Sequence, residues 1–138
     1  MLPLRYRRQW IAVNALLIAV VTALTIVPAF LMPRQVTALP GVDKWLHALT
    51  FAILALWFTG QYARRSYWLI AIGLAGYGAL IEIGQSLIPY RSAEWGDLVA
   101  DIVGIAAGLV IALLISGGWS LRAEHWFVDR FGGSIRKQ

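Results

Sequence analysis

The chain has 138 residues, of which 59% are hydrophobic and only 14% are charged, and its mean hydropathy is +0.68. A soluble domain carries roughly 25% charged residues and leaves much of its surface in water, so this composition excludes a soluble or disordered protein and indicates an integral membrane protein. The chain has no cysteine, which excludes disulfide frameworks and cysteine metal sites, and its net charge of +5 comes from basic residues whose placement fits membrane topology, not a nucleic-acid partner.

Four stretches of the sequence are long and apolar enough to cross a bilayer as helices. A hydrocarbon core about 30 Å thick needs about 20 mainly apolar residues. The predicted spans are residues 10–32, 45–61, 68–87 and 98–116. The second span is the shortest, so we expect Lys44 at its start to reach toward the head groups. Because every connection is short, the sequence predicts a single all-α transmembrane domain over residues 1–138.

The residues after the fourth span, 119–131, mix aromatic and charged side chains. An apolar face of this segment holds Trp119, Ala123, Trp126, Phe127 and Phe131. This pattern predicts a short amphipathic helix that lies in the head-group layer. Tryptophans also stand at the ends of the spans and are predicted to form interfacial belts, at positions 45, 68, 95 and 119.

Basic residues are unevenly distributed over the two faces of the predicted bundle. Nine lie on the side of the N terminus, namely Arg5, Arg7, Arg8, Arg64, Arg65, Arg122, Arg130, Arg136 and Lys137. Three lie on the other face, namely Arg34, Lys44 and Arg91. Because cytoplasmic loops carry an excess of Lys and Arg, we predict that both termini are cytoplasmic. A cleaved signal peptide is the disfavoured alternative for the first span, whose apolar run exceeds the usual core of about 7–15 residues.

Polar side chains occur in three of the predicted helices at one depth, near the outer face. They are Asp43, Lys44 and His47 in the second helix, Glu82 and Gln85 in the third, Arg91 in the next turn, and Asp97 and Asp101 in the fourth. A charge at the centre of a spanning helix costs about 2.5–3.5 kcal/mol on insertion scales, so such residues are seldom incidental. We predict that they share one polar pocket, because side chains that face one another can pair or stay hydrated.

Several of these residues also have a purely structural interpretation. Glu82 and Gln85 suit a hydrogen-bonded clamp between the third and fourth helices. Asp97 stands where the N-terminus of a helix takes a cap. Arg91 suits a partner for Asp97 or Glu94 that pins the turn, or a partner for an anionic head group.

The fourth helix carries a pattern that favours close helix packing. Gly104 and Gly108 form a Gly-x-x-x-Gly motif on the same stripe as Asp97 and Asp101. We therefore expect this face to contact protein. Glycines at positions 73, 76, 78 and 84 would give the third helix a matching groove. A homo-oligomer joined through the fourth helix is a further expectation.

The spacing of these residues resembles a known family. The stretches are Asp43-Lys44-x-x-His47-x-x-x-Phe51 and Glu82-x-x-Gln85-x-x-x-Pro89-x-Arg91-x5-Asp97-x3-Asp101-x-x-Gly104-x-x-x-Gly108. They resemble the two signature stretches of the VanZ-like family of small bacterial membrane proteins, whose founding member is linked to resistance to the glycopeptide teicoplanin. The resemblance implies a location in the bacterial cytoplasmic (inner) membrane. The family more often has Asn where this chain has Asp101, so the pocket here is more acidic.

Three classes of function fit the predicted pocket. The preferred hypothesis is a binding protein without a cofactor, which engages membrane lipids or a lipid-linked cell-wall intermediate and thereby affects glycopeptide susceptibility. The alternative is a metal-assisted hydrolase or transferase in which His47, Glu82 and Asp101 hold the ion, although no familiar catalytic metal motif is present. Ion passage ranks last, because the inner halves of the spans look apolar.

Overall fold

The computed structural model describes residues 1–26, 41–88 and 94–131, and this part of the chain is helical with short turns. Five α-helices follow one another: α1 (Arg7–Ile26), α2 (Val42–Gln61), α3 (Tyr67–Ser86), α4 (Trp95–Ile111) and α5 (Trp119–Phe131). A short 3-10 turn at Arg64–Ser66 leads into α3, and a π-helical turn at Ala112–Ser116 extends α4. The prediction of an all-helical protein is confirmed. Residues 27–32 of the first predicted span and Arg91 lie outside the described residues.

Three of the described helical segments are long and apolar enough to cross a membrane. They are Arg7–Thr25, Arg64–Ser86 and Trp95–Ile115. The helix α2 has 20 residues, but its first turns carry Asp43, Lys44 and His47, and it is not among the three. Large apolar side chains cover the outside of the bundle, as expected where lipid is the solvent. A fourth span through α2 remains a prediction.

The most extensive helix contact in the described part of the chain joins α2 and α4. A Cβ atom at Gly104 would clash with the backbone carbonyl of Ala48, and one at Gly108 would lie 2.5 Å from the carbonyl oxygen of Ala52. The two backbones approach this closely because both positions lack a side chain. The Gly-x-x-x-Gly face of α4 is therefore covered by α2.

The expectation that α3 supplies the matching groove is confirmed only at Gly78, which lies against Asp101 of α4. Added Cβ atoms at Gly73, Gly76 and Gly84 would meet nothing within 4 Å, so these glycines are not packed against a helix. The alanines of α2 take that place because they are small enough to let the backbones touch. Since α2 covers the glycine face, the predicted homo-oligomer would have to use another face of α4.

Apolar side chains fill the middle of the bundle. The buried cluster comprises Val21, Phe51, Leu54, Ala55, Leu74, Ile81 and Ile105. The members of this cluster on α2, Phe51, Leu54 and Ala55, lie between His47 and Gln61. Those two residues are about 20 Å apart along the helix at 1.5 Å per residue. The apolar layer thus separates two polar ends of the bundle, which we call the His47 end and the Trp119 end.

Three tryptophans pack against one another at the Trp119 end. The ring centroids of Trp10, Trp57 and Trp119 are 5.2–5.7 Å apart. The indole of Trp119 donates a hydrogen bond to the Leu56 carbonyl at 3.0 Å and lies over Gly60, where no side chain would fit. Trp119 is partly buried against the end of the bundle, and its belt position stays a prediction. The other three tryptophans of the predicted belts are exposed, namely Trp45, Trp68 and Trp95.

A buried pair of amide side chains lies beside these tryptophans. Asn14 Nδ2 donates to Gln61 Oε1 at 2.9 Å, and Gln61 Nε2 donates to Asn14 Oδ1 at 3.1 Å. The indole of Trp57 donates to the same Asn14 oxygen at 2.7 Å. The expectation that the inner halves of the spans are apolar is therefore wrong at this end. These amides bond one another within the chain, so Asn14 joins α1 to α2.

The C-terminal helix α5 has the predicted bounds and is attached through Glu124. The Glu124 carboxylate accepts hydrogen bonds from the backbone N–H groups of Arg5 at 2.8 Å and Tyr6 at 3.0 Å, and from the Trp10 indole at 2.8 Å. Burial opposes ionisation of this carboxyl, but the three hydrogen bonds lower the pKa of Glu124 below its ordinary value. The N terminus is thereby fixed to α5.

Among the described side chains of α5, the predicted apolar face differs from the observed one at Trp119. Ser120 donates a hydrogen bond to the Gly60 carbonyl and, like Glu124, is buried against the bundle. Trp126 and Phe127 are exposed on the other side. Trp119 and the two polar residues thus dock the helix, and only the more C-terminal aromatics remain for the predicted contact with the head-group layer.

The close approach of α2 and α4 predicts a difference between two glycine substitutions. Gly104→Ala forces a methyl group against a backbone carbonyl and should lower the free energy of unfolding by about 1–3 kcal/mol. Gly76→Ala adds a methyl group to an open position and should leave stability unchanged or raise it by about 0.5–1 kcal/mol. Thermal unfolding of both variants in detergent micelles measures the difference. Equal stability of the two variants would contradict the packing of α4 on α2.

The Glu124 attachment predicts a pH-dependent stability. A carboxyl whose folded pKa is lowered stabilises the fold above its ordinary pKa, and this contribution is lost as the pH falls through the folded value. Glu124→Gln should therefore lower the free energy of unfolding by about 1–3 kcal/mol near neutral pH. The gap from the unmodified protein should narrow when the melting temperature is measured at about pH 4 instead of about pH 7.

Asp129→Asn is the matched control, because Asp129 is an exposed acid on the same helix. It should melt like the unmodified protein at both pH values. A gap for Glu124→Gln that stays constant or widens in acid would show that its charge does not hold α5 in place.

Candidate functional site

Side chains from α2, α3 and α4 meet at the His47 end. We call them the polar cluster: Asp43, Lys44, His47, Glu82, Glu94, Asp97 and Asp101. One nitrogen or oxygen ligand atom from each of His47, Glu82 and Asp97 lies within 4.8 Å of the other two. The sequence separates His47 from Glu82 by 35 positions, and the helix packing brings them together.

The centre of the polar cluster is a pair between His47 and Asp101. His47 Nδ1 lies 2.9 Å from Asp101 Oδ1, and Asp101 is fully buried. With Asp101 ionised, its carboxylate only accepts hydrogen bonds, and the hydrogen then lies on His47 Nδ1. Gly78 of α3 makes room for this carboxylate, since a Cβ atom there would lie 2.6 Å from Asp101 Oδ2. The pair leaves the second ring nitrogen of His47 available to another group.

Glu82 connects α3 to the start of α4. Its Oε2 accepts a hydrogen bond from the backbone N–H of Glu94 at 3.1 Å, and the residue is buried, with 8% exposure. This contact partly matches the predicted clamp between the third and fourth helices. It uses only one of the two carboxylate oxygens.

Three buried carboxylate oxygens of the polar cluster have no hydrogen-bond partner among the described residues. They are Glu82 Oε1, Asp97 Oδ1 and Asp101 Oδ2. Asp97 Oδ1 lies 3.5 Å from Lys44 Nζ, which is within ion-pair range but gives no hydrogen bond. An unsatisfied buried acceptor costs about 1–3 kcal/mol, and more when it is charged. Among the described residues, no group offsets this cost for these three oxygens.

Lys44 is bound to acidic neighbours at the rim of the polar cluster. Its Nζ donates to Glu94 Oε2 at 2.8 Å and lies 3.5 Å from an oxygen of Asp43 and of Asp97. The stem of Lys44 crosses Gly96, where a Cβ atom would lie only 2.6 Å from Lys44 Cε. Lys44 is thus paired with the start of α4 while its side chain stays 41% exposed, and its reach toward the head groups stays a prediction.

Gln85 and Asp97 do not occupy the structural roles predicted for them. Gln85 is buried, but its Nε2 donates to the backbone carbonyl of Thr25 at 3.1 Å, so it joins α3 to α1 and not to α4. Asp97 lies within the first turn of α4, whose N-cap residue is Glu94, and no side chain caps this helix. Its carboxylate instead faces Lys44. The predicted partner Arg91 lies outside the described residues.

Glu94 is the member of the polar cluster that sequence reasoning did not place in the pocket. Its carboxylate holds Lys44 and its backbone N–H holds Glu82, so it connects two helices. Its position three residues before Asp97, near the predicted start of a helix, was a signal that it could join the pocket. The position alone gave no reason to expect that it would meet Lys44, 50 residues earlier in the chain.

A cavity connects the polar cluster to the outside of the bundle. It has a volume of about 420 Å³ and lies between α3 and α4. Its lining is mostly apolar and also contains two acids, namely Ala79, Glu82, Ile83, Ser86, Glu94, Trp95 and Leu98. Exposed Ile83 and Trp95 flank it, so it opens onto the apolar outer surface of the bundle.

The chemistry of the polar cluster favours a positively charged ligand. Five carboxylates surround a single ammonium group and one imidazole within the described residues, so the site is strongly acidic. The ligand set of the alternative metal hypothesis needs a correction, since Asp97 and not Asp101 joins His47 and Glu82 at ligand spacing. Asp101 instead shares a hydrogen bond with the Nδ1 atom of the His47 ring.

Comparison with known proteins places the chain in a family. The family model described as VanZ/LLP1 matches residues 1–116. The chain is also 28% identical over 125 residues to an uncharacterised protein of Schizosaccharomyces pombe, in an alignment that covers 88% of this chain and 75% of that protein. No solved structure matches it. The family match spans every helix that contributes to the polar cluster, and the chain belongs to the VanZ/LLP1 family.

Proposed function

We propose that this protein binds a membrane amphiphile, whose head group contacts the polar cluster and whose apolar part lies in the cavity between α3 and α4. The amphiphile is a lipid or a lipid-linked cell-wall intermediate. Binding of such an intermediate would give the protein a route to affect glycopeptide susceptibility, the property linked to the founding member of the family. The proposal assigns no chemical step to the protein.

The observation that carries this proposal is that a buried carboxylate and apolar side chains line one cavity. The same cavity is lined by Glu82 and by apolar side chains of α3 and α4. A ligand that fills it must combine a polar end with an apolar end, as membrane lipids do. Binding pockets for drug-sized ligands have volumes of about 300–1,000 Å³, so this cavity accommodates a head group and the start of a chain.

The charge of the polar cluster favours a head group that carries an amine. Lys44 is already paired with Glu94 at 2.8 Å, so its ammonium is not free to attract a phosphate. Glu82 Oε1 is buried and unpartnered, which makes it a suitable acceptor for an ammonium N–H. A head group without a donor would leave this oxygen unsatisfied.

The proposed location is the bacterial cytoplasmic membrane, with four spans, both termini in the cytoplasm and the His47 end facing outward. The uneven distribution of Lys and Arg supports this orientation, since most of them lie toward the Trp119 end and the termini. In this orientation the cavity opens into the outer leaflet. Amphiphiles of the envelope would reach it sideways, without entering from water.

Glu82→Gln should weaken retention of an amine-bearing lipid. The substitution removes the charge of the buried carboxylate while nearly preserving its size, so retention of phosphatidylethanolamine should fall severalfold relative to phosphatidylglycerol. Native mass spectrometry of protein delipidated and then exposed to an equal mixture of the two lipids measures the ratio.

Asp129→Asn, which removes an exposed acid at the Trp119 end, is the control and should keep the unmodified ratio. If Glu82→Gln and Asp129→Asn retain the two lipids in the same proportion as the unmodified protein, the polar cluster does not select the head group.

The absence of native cysteine allows a direct test of the proposed orientation. Asp43→Cys at the His47 end and Arg65→Cys at the other end each introduce a single exposed thiol. In intact bacterial cells, a membrane-impermeant maleimide should label the first variant and leave the second unlabelled until the cells are opened. The reverse labelling pattern would place the polar cluster on the cytoplasmic side.

A further inference from the structure

The buried side of the polar cluster has the features of a metal site. We propose that His47, Glu82 and Asp97 bind one divalent transition-metal ion, with Asp101 as a positioning residue for the histidine. One ligand atom of each of the three residues lies within 4.8 Å of the others. Ligands of a tetrahedral zinc ion are about 3.4 Å apart at bonds of about 2.1 Å, so small side-chain rotations suffice to close the site. This inference does not depend on the binding of an amphiphile.

Unpartnered oxygens indicate that a positive group belongs at this position. Glu82 and Asp97 are more than nine-tenths buried, and each has an oxygen without a hydrogen-bond partner among the described residues. The nearest ammonium, on Lys44, is 3.5 Å from Asp97 and bonds Glu94 instead. Two ionised carboxylates held together in this way repel one another, and a cation between them would remove that repulsion.

The orientation of His47 matches that of a metal ligand. Its Nδ1 lies 2.9 Å from Asp101 Oδ1, and in the neutral imidazole with the hydrogen on Nδ1 the lone pair of Nε2 is free to bind a metal ion. Metal-binding histidines commonly donate their other ring hydrogen to a carboxylate, which orients the ring and makes the ligating nitrogen more basic. Asp101 is fully buried, so its hydrogen bond to Nδ1 fixes the orientation of the His47 ring.

The donor set indicates which ion fits. One imidazole nitrogen and two carboxylates suit Zn²⁺ or Mn²⁺, whereas Mg²⁺ and Ca²⁺ prefer oxygen ligands alone. Three protein ligands leave at least one coordination position open to water or to another ligand. A second trio of acids, Asp43, Glu94 and Asp97, surrounds the Lys44 ammonium. This ammonium already supplies a positive charge on that side of the polar cluster.

Metal titration of the full chain tests the proposal. The protein carries a histidine-free affinity tag, is stripped with a chelator, and is reconstituted in nanodiscs of phosphatidylcholine alone, so the result does not depend on the amine-bearing lipid of the proposed function. Calorimetric titration with Zn²⁺ should show a single site per chain. Titration with Co²⁺ should give visible absorption bands typical of a low-coordinate ion with nitrogen and oxygen ligands.

Substitutions separate the ligands from the positioning residue. His47→Gln should lower Zn²⁺ affinity at least tenfold, and Asp101→Ala should lower it by about 10–100-fold. Asp101→Asn should restore most of the affinity, because its side-chain oxygen still accepts the Nδ1 hydrogen bond. His125→Gln removes the exposed histidine of α5 and should leave affinity unchanged.

Two results would overturn the proposal. The first is a folded, unmodified protein that binds neither Zn²⁺ nor Co²⁺, which would mean that water hydrates the buried carboxylates. The second is equal Zn²⁺ affinity for the unmodified protein and for His47→Gln. If the His47 variant fails to fold, the Co²⁺ spectrum of the unmodified protein decides alone, since the spectrum of hydrated Co²⁺ would exclude the site.

Discussion

Close contact between the backbones of α2 and α4 sets the depth of every group in the polar cluster. Gly104 lies against Ala48, and Asp101, one turn earlier on α4, meets His47, the residue before Ala48 on α2. A side chain at Gly104 would push the helices apart and separate the histidine from its carboxylate. The packing motif and the polar motif are therefore parts of one constraint, which explains why they share a stripe on α4.

The two polar ends of the bundle differ in how their buried groups are satisfied. At the Trp119 end, Asn14 and Gln61 bond one another, and Glu124 accepts three hydrogen bonds from the N-terminal segment. At the His47 end, three carboxylate oxygens lack partners among the described residues. Folded proteins rarely leave buried polar groups unpaired without a functional reason. The polar groups of the Trp119 end thus hold the helices together, and the His47 end is where a ligand is expected.

The sequence was informative where the free-energy cost of placing a residue in lipid, or its spacing along a helix, restricted its environment. Charged residues at one depth in apolar helices predicted that His47 and Glu82 would converge, because neither tolerates lipid. Helix lengths followed from apolar runs, and α5 from its aromatic pattern. Partner choice was less predictable: Gly104 packs on alanines of α2, Lys44 bonds Glu94, and Trp119 packs on Trp10 and Trp57. These contacts depend on how helices rotate against one another, and periodicity along a single helix does not encode that rotation.

The central claim is that the imidazole of α2 and the carboxylate of α3 share one buried site. Solid-state nuclear magnetic resonance on the lipid-reconstituted protein tests it through magnetisation transfer between the His47 ring nitrogens and side-chain carboxyl carbons. The account predicts transfer to both Asp101 and Glu82, with the second signal lost in Glu82→Gln. Transfer to Asp101 alone would show that α3 faces away from the histidine, and would contradict both the shared site and the ligand proposals that rest on it.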